Sequence, residues 1–599
     1  MSRMLKSSSA AAAATLLSRI LGFVRELSYS WFMGVTAVAD AFYAAFIIPN
    51  LFRRFLGEGA LTAAFVPIFK TRERAGDIVG MWRATNAVLC GVVMICVAVT
   101  VLGIAGVTGL LWWSSPRQTA IAMQDLPVFS NRLKESAKGT GPFVQGRLSN
   151  SIPQALTNSR DPVSGELDLR HELMLRLLRV MFPYVILICA TAVFIGVLNA
   201  RGQFFLPALG AAMLNVVMIA SVFVLASGWG QRWFGSSRQS QVFGLAIGVL
   251  VAGVAQGAFQ LPALWREGYR PAWVTPWTDP TVREVARRMG PATIGVAAFQ
   301  INVSISYWLA IDVGVSIASS FNTAVRLMEL PQGVFGISLA TYLLTELSGL
   351  AAEKKFPEFR ATLEEGVRHV LFLNSLAAVL LLVLARPIIR LLFEYGYFDP
   401  LATPLAAAAL QFLAPGLLAF SLNNILSRSF YALGDTGTPM KISVVCLVVN
   451  LLLVVILMTP LRQAGLGLAN TLSAMLNTGL LIYALRRALP KLGLKALARN
   501  AALVVGVTAL AGVAAVAVYR GLEPIFPVER FILPSHLAPG VPHRFSVIQV
   551  VFARAAVVFM PMMAAGAVYF GVASWLRLPQ AGALWSLLRR RRCPLPVDI

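Results

Sequence analysis

The chain has 599 residues, of which 57% are hydrophobic and only 13% charged. A soluble protein carries about 25% charged residues, so a water-solvated globular fold is excluded and the apolar excess must face lipid. The balance of 51 Lys+Arg against 27 Asp+Glu, formally +24, fits the basic cytoplasmic loops of a polytopic membrane protein, and no nucleic-acid partner is expected.

A spanning helix needs about 20 predominantly apolar residues. Such runs occur near 9–33, 39–68, 82–112, 174–198, 207–228, 242–264, 291–311, 316–345, 367–385, 404–430, 440–461, 464–485, 497–519 and 548–576. They predict an all-α polytopic membrane protein with about fourteen transmembrane helices. The first run follows Arg3 and Lys6 and has the outline of a secretory signal, but Arg19, Arg25 and Glu26 interrupt it and many spans follow, so it reads as a retained helix. Between the third and fourth spans, residues 114–171 are polar, mixed in charge and rich in Ser, Asn, Gly and Pro. They predict an extracytoplasmic, partly flexible insertion. Of the five cysteines, Cys90, Cys96, Cys189 and Cys446 lie in apolar runs and Cys593 in the tail. None forms a CxxC pair, so neither a disulfide framework nor a metal site is expected, and no cofactor is implied.

Orientation follows from the basic residues. With a cytoplasmic N-terminus, the inside loops hold Lys70, Arg72, Arg74, Arg266, Arg270, Arg283, Arg287, Arg288, Lys354, Lys355, Arg486, Arg487, Lys491, Lys495 and the run Arg589 to Arg592. The short outside loops hold few, a bias that places both termini in the cytoplasm.

An internal repeat divides the chain. The fourth span and its exit read Pro183 … Ala200, Gly202 … Pro207, and the tenth reads Pro415 … Ala432, Gly434 … Pro439, at one constant offset and without a gap. A unit of six helices is even in number, so the halves share one orientation, as in parallel-repeat transporters. The expected organisation is a six-helix lobe over 1–265 carrying the 114–171 insertion, and a second over 266–490. Residues 491–599 supply two further helices and a basic cytoplasmic tail.

Ionisable residues inside spans are costly and therefore candidates for function. Arg19, Arg25 and Glu26 lie on the first span, and Asp40, Arg53, Arg54 and Glu58 along the second. Arg19 and Arg25, six residues apart, are separated by about 9 Å along a helix and suit successive levels of one wall. Arg54 and Glu58 are spaced for a local ion pair. In the eighth span Arg326 has Glu329 three residues on, which permits either a structural pair or an anion site whose guanidinium matches phosphate oxygens. Arginines from both halves imply a large, multiply charged anion. Arg554, in the last span, reads as snorkelling or pairing locally. Asn302, Asn423, Asn424, Asn450, Asn470 and Asn477 read mainly as interhelical hydrogen-bonding residues. The four histidines, His171, His369, His536 and His543, lie in or beside loops and give no basis for a proton relay. There is no GxxxxGK[ST] loop and no HExxH, so the chain reads as a transporter and not an enzyme.

The stretches Ser18-Arg19-Ile20-Leu21-Gly22-Phe23-Val24-Arg25, Ala39-Asp40-Ala41-Phe42, Pro49-Asn50-Leu51-Phe52-Arg53-Arg54, Glu58-Gly59-Ala60 and Phe65-Val66-Pro67 resemble the MurJ (MviN) lipid II flippases. These belong to the multidrug/oligosaccharidyl-lipid/polysaccharide exporter superfamily. The resemblance continues through Met289-Gly290-Pro291, Arg326-Leu327-Met328-Glu329 and Thr438-Pro439-Met440-Lys441. It implies two six-helix lobes around a cationic central cavity, with two C-terminal helices forming a lipid-facing groove. The substrate implied is lipid II, undecaprenyl-pyrophosphoryl disaccharide-pentapeptide, moved from the inner to the outer leaflet of the bacterial inner membrane for peptidoglycan synthesis. By motif match the cavity arginines fall on Arg19, Arg25, Arg53 and Arg326, and Asp40, Arg54 and Glu58 match further polar positions. Ile47 and Val325 depart from the residues many members carry there, Lys and Asp. Some relatives hold a cation with acids on the seventh and eleventh helices, where this chain offers Asn302 and Asn450, so sodium coupling does not carry over. Membrane lipids and the peptidoglycan synthesis machinery are the further partners implied, and a monomer is expected because one chain holds both halves. Two other readings stay open: a flippase for another polyprenyl-linked saccharide, and a membrane-embedded glycosyltransferase using acids of the insertion.

Overall fold

The computed structural model describes residues 2–52, 60–137, 164–203, 205–228, 230–235, 237–489, 493–526 and 546–582. These form helices, with no strand among the described residues. The sequence runs Ser2–Met33 (α1), Ala37–Phe52 (α2), Ala60–Arg74 (α3), Ile78–Ala137 (α4), Ser164–Met181 (α5), Tyr184–Ala200 (α6) and Phe205–Ser221 (α7). A π-helical segment Val222–Gly228, the short Gly230–Phe234 (α8), Arg238–Arg266 (α9) and Pro280–Val313 (α10) follow. Then come Ile317–Pro331 (α11), a second π-helical segment Gln332–Ile337, Ser338–Ala352 (α12), Phe356–Val383 (α13), Ala385–Leu392 (α14), Ala402–Leu413 (α15) and Gly416–Ala432 (α16). Gly437–Leu461 (α17), Gln463–Ala488 (α18), Leu494–Leu522 (α19) and Val547–Trp575 (α20) complete the described chain.

The chain is a multi-pass membrane protein. Among the described residues eight helices are long and apolar enough to cross a bilayer, and ten if each of two bent pairs counts as one span. Helix α17 leaves Val445, Val448, Leu452, Val455 and Ile456 exposed, an apolar stripe suited to lipid and not to water. The runs 9–33, 39–68, 291–311 and 316–345 fall outside that set. The first carries Arg19, Arg25 and Glu26, and the last is interrupted by the second π-helical segment.

The two bent pairs realise the internal repeat. Helices α5 and α6 meet at 44°, α15 and α16 at 46°. Each bend falls at a proline, Pro183 or Pro415, which opens the second helix of its pair, as expected of a residue that lacks an N–H and disfavours helical backbone before it. Helices α6 and α16 then close alike. The N–H of Gln203 donates to the Leu198 carbonyl at 2.9 Å and that of Asp435 to the Phe430 carbonyl at 2.9 Å. Between them Gly202 and Gly434 take φ of 80° and 81°, the left-handed conformation of a Schellman cap.

Residue contacts divide the chain into two compact units, Met1–Ser28 with Thr36–Val315, and Tyr29–Val35 with Ser316–Ile599. Helix α10, which begins after the boundary drawn from sequence at 265/266, packs within the first unit against α2, α3 and α4. Lipid removes most of the hydrophobic drive between helices, so packing and interhelical bonds hold them. In the first unit Phe65, Phe69, Val88, Val193, Val197, Leu264 and Tyr269 form one buried cluster. An aromatic chain threads it, Phe65 to Phe69 at 5.7 Å, Phe69 to Trp82 at 5.9 Å and Trp82 to Tyr269 at 5.6 Å between ring centroids, each pair worth about 0.5–1.5 kcal/mol beyond its burial. In the second unit Ala340, Leu343, Leu363, Val367, Val370, Ile425 and Leu426 join α12, α13 and α16. Helices α19 and α20 pack on each other and on α13, where the Tyr569 hydroxyl donates to the Phe372 carbonyl at 2.6 Å.

The segment expected as a polar insertion starts and ends as helix. Backbone of α4 continues to Ala137 and α5 begins at Ser164. Gln118, Ala120, Ala122, Met123, Gln124, Leu126, Arg132, Leu133, Lys134 and Glu135 are good helix formers despite their polarity. Residues 138–163 lie outside the described residues.

Candidate functional site

Arg25 stands two turns from the end of α1, with its side chain 14% exposed. Burial at that depth requires compensation, and three groups of the first unit supply it. Its Nη2 donates to Glu26 Oε1 at 2.5 Å and its Nη1 to Asn215 Oδ1 on α7 at 3.0 Å, with Met218 Sδ at 3.8 Å. Asn215 is itself oriented. Its Nδ2 donates to the carbonyls of Ser18 and Ala211, both at 3.1 Å. Glu26 is in turn met by the Tyr43 hydroxyl of α2 at 3.5 Å. The guanidinium is thus aimed by an amide on a different helix, the arrangement that makes a side chain a preorganised anion ligand.

Arg19, six residues earlier on α1, is exposed. Asp40 is fully buried in the first turn of α2, where the helix N-terminus favours a negative charge. In the second unit Arg326 is 30% exposed, and its Nη1 donates to Glu329 Oε2 at 2.9 Å, one turn along α11. The i,i+3 pair anticipated from sequence is present. Arg53, Arg54 and Glu58 lie outside the described residues.

Three polar groupings join residues far apart in the sequence. Arg554 does not snorkel and its carboxylate partner is not local: it is 2% exposed on α20, and its Nη2 donates to Glu394 Oε1 at 2.7 Å, 160 residues earlier. Arg390 Nε and Thr403 Oγ1 complete Glu394 at 3.1 and 2.7 Å, and Arg554 Nη1 donates to the Arg390 and Glu394 carbonyls. The correction has a physical reason, because a span that lies against protein offers its arginine no short route to an interface, so a buried acid must meet it.

The second grouping joins α3, the α6 exit and the end of α9. Arg201 donates to Glu73 Oε1 at 2.5 Å and Glu267 Oε2 at 2.6 Å, Gln203 donates to Glu267, and Lys70 donates to Glu73 at 2.6 Å. Lys70, reinforced by Arg201, holds the Glu73 carboxyl below the usual carboxylate range. Glu267 and then Glu73 raise the Arg201 guanidinium further. Third, His171 on α5 lies 3.0 Å from Asp312 at the end of α10.

Of the intramembrane asparagines, Asn423 does bond between helices, donating to the Ala474 carbonyl at 3.2 Å and accepting from Thr478 at 2.8 Å. Asn424 and Asn470 instead donate to the Phe420 and Leu466 carbonyls of their own helices. Asn215, the residue that orients Arg25, carried the same signal of an amide inside an apolar run.

Comparison with known proteins places this architecture. The family model for lipid II flippase MurJ matches residues 29–122 and 164–533. A probable lipid II flippase MurJ of Vibrio cholerae serotype O1 is 34% identical over 481 residues, 80% of this chain and 82% of that protein. The lipid II flippase MurJ of Burkholderia cenocepacia is 32% identical over 480 residues, covering 79% and 82%. Among solved structures, lipid II flippase MurJ in an inward closed conformation superposes with a TM-score of 0.66 at 18% identity, over 94% of this chain and 98% of that one. An inward-facing multidrug resistance MATE family transporter of the MOP superfamily superposes with 0.55 at 15% identity, over 81% and 99%. With most of its length matched by the family model and by relatives above 30% identity, the chain belongs to the lipid II flippase MurJ family.

Proposed function

We propose that the chain carries lipid II, undecaprenyl-pyrophosphoryl disaccharide-pentapeptide, from the inner to the outer leaflet of the bacterial cytoplasmic membrane for peptidoglycan synthesis, by alternating access. The observation that carries the site assignment is Arg25, held inside its helix by Asn215 and balanced by Glu26. A single carboxylate neutralises a resting guanidinium, and a pyrophosphate brings more charge and more acceptor oxygens to the same fork of donors. In the second unit Arg326 is likewise balanced by a single carboxylate, Glu329 one turn along its own helix. Arg19 and Arg53, with Asp40, Arg54 and Glu58 as supporting polar positions, extend the substrate-binding set. The arginines take the pyrophosphate from the cytoplasmic side, and the change of access releases it outside while the prenyl tail remains in lipid. A negative interior drives the anionic head group outward, by about 2.3 kcal/mol per charge per 100 mV across the full field.

In this reading the chain forms two six-helix lobes followed by the α19–α20 pair, with both termini in the cytoplasm, and works as a monomer. The test is expression in bacteria depleted of their own lipid II flippase, followed by measuring how much lipid II an externally added cleaving enzyme reaches. Accessibility is expected to return with the wild-type chain and to be lost with Arg25→Ala or Arg326→Ala, both still present in the membrane. Normal export by Arg19→Ala and Arg326→Ala together would overturn the arginine assignment.

A further inference from the structure

The second unit contains a polar site that no charge marks. Helix α13 turns Phe372 toward α20, where Tyr569 bonds its carbonyl and the two rings lie 4.8 Å apart. The opposite stripe, Leu363, Val367 and Val370, packs with Ile425 of α16 and Ala340 of α12. One helical turn further along each element, on the same stripes, stand Asn374, Ser421 and Gly336. The last two meet directly: a Cβ at Gly336 would lie 2.8 Å from Ser421 Oγ. Gly336 belongs to the π-helical segment Gln332–Ile337, which packs against both α13 and α16. Asn374 and Ser421 are wholly buried, yet among the described residues neither amide atom of Asn374 nor the hydroxyl of Ser421 has a hydrogen-bond partner.

Buried polar atoms are ordinarily satisfied, since each one left unmade is costly. An amide needs a donor for its oxygen and an acceptor for its nitrogen, and a hydroxyl can take either role. Water serves all of these at once, whereas a cation would serve the oxygens and be repelled by the amide N–H groups. Gly336 keeps a side chain out of this level of the packing, where a Cβ would meet Ser421. Single π-turns concentrate at functional sites, where a helix changes its hydrogen-bonding register.

We infer that Asn374, Ser421 and the π-helical segment form an internal water-binding site that serves as a hydrated joint, letting α11–α12 slide against α13 and α16 as access changes. The mechanical part rests on the transport reading above. A polar joint is less stable than an apolar contact of the same shape, because replacing such groups by matched hydrocarbon is neutral or stabilising. The test is Asn374→Leu combined with Ser421→Ala, which removes both groups so that neither is left buried alone, with two readouts. Thermal unfolding of the purified full chain is expected to rise by roughly 2 °C or more, while lipid II export in the depleted strain falls severalfold at equal protein level. A lowered Tm would show that the amide makes ordinary protein hydrogen bonds and would overturn the water site. A raised Tm with unchanged export would overturn the joint. A wild-type Tm that drops when sodium is replaced by choline, with no such drop in the double variant, would make the site a cation site and overturn the water assignment. Failure of the wild-type chain to restore export would count against the flippase reading alone, since the Tm comparison stands without it.

Discussion

Glu394 accepts from two guanidinium groups and a hydroxyl at once while only 1% exposed. Desolvating that many charges is recovered only because every partner is in place, and removal of one leaves the others buried and uncompensated. Glu394→Gln or Arg554→Met is therefore expected to cost about 3–5 kcal/mol, read as an early thermal transition of the purified protein. The double replacement Glu394→Leu with Arg554→Met should recover part of that loss, because hydrocarbon of similar volume needs no counter-ion. A double variant less stable than either single one would refute this account. Local pairs were legible in the sequence, as Arg326 and Glu329 were, because helix geometry brings i and i+3 together. Glu394 with Arg554, and Arg25 with Asn215, were not legible, because nothing in the spacing of residues 160 or 190 apart says which helix faces which.

At the scale of elements, proline and glycine carried most of the readable information. Pro183, Gly202, Pro415 and Gly434 marked the repeat in the sequence, and in the structure a helix bends at each proline and closes at each glycine, because each imposes a backbone conformation independent of its neighbours. Both glycines have open space where a Cβ would stand, so their φ values of 80° and 81° are the only barrier to substitution. Gly202→Ala and Gly434→Ala should each cost about 1–2 kcal/mol, equally within error, as measured by thermal unfolding. A clear inequality would mean that one cap bears a load the other does not, and that the repeat is geometric without being energetic. The π-helical segments were not legible, since a one-residue change of register leaves composition and hydropathy untouched. The continuation of α4 to Ala137 was missed for the opposite reason. Polar residues were read as loop, although helix propensity concerns side-chain entropy and backbone competition more than polarity.

For the whole molecule, the decisive contrast is between the matched length and the segment left out. The family model covers 29–122 and resumes at 164, so the intervening residues are additional to the shared architecture. A transporter working through Arg25, Arg326 and their carboxylates has no need of acids there, whereas an enzyme polymerising glycan at the outer surface would require carboxylates to activate its substrate. Asp125, Glu135 and Asp161 are the acids of that segment. Their combined replacement by Asn, Gln and Asn should leave lipid II export in the depleted strain within about twofold of wild type, because substitutions away from a transport site rarely cost more than about 0.5 kcal/mol. Loss of growth with export intact would assign the segment a separate role. Loss of export itself, with the protein at normal level in the membrane, would mean that transport depends on these acids and that the proposed arginine set does not account for it.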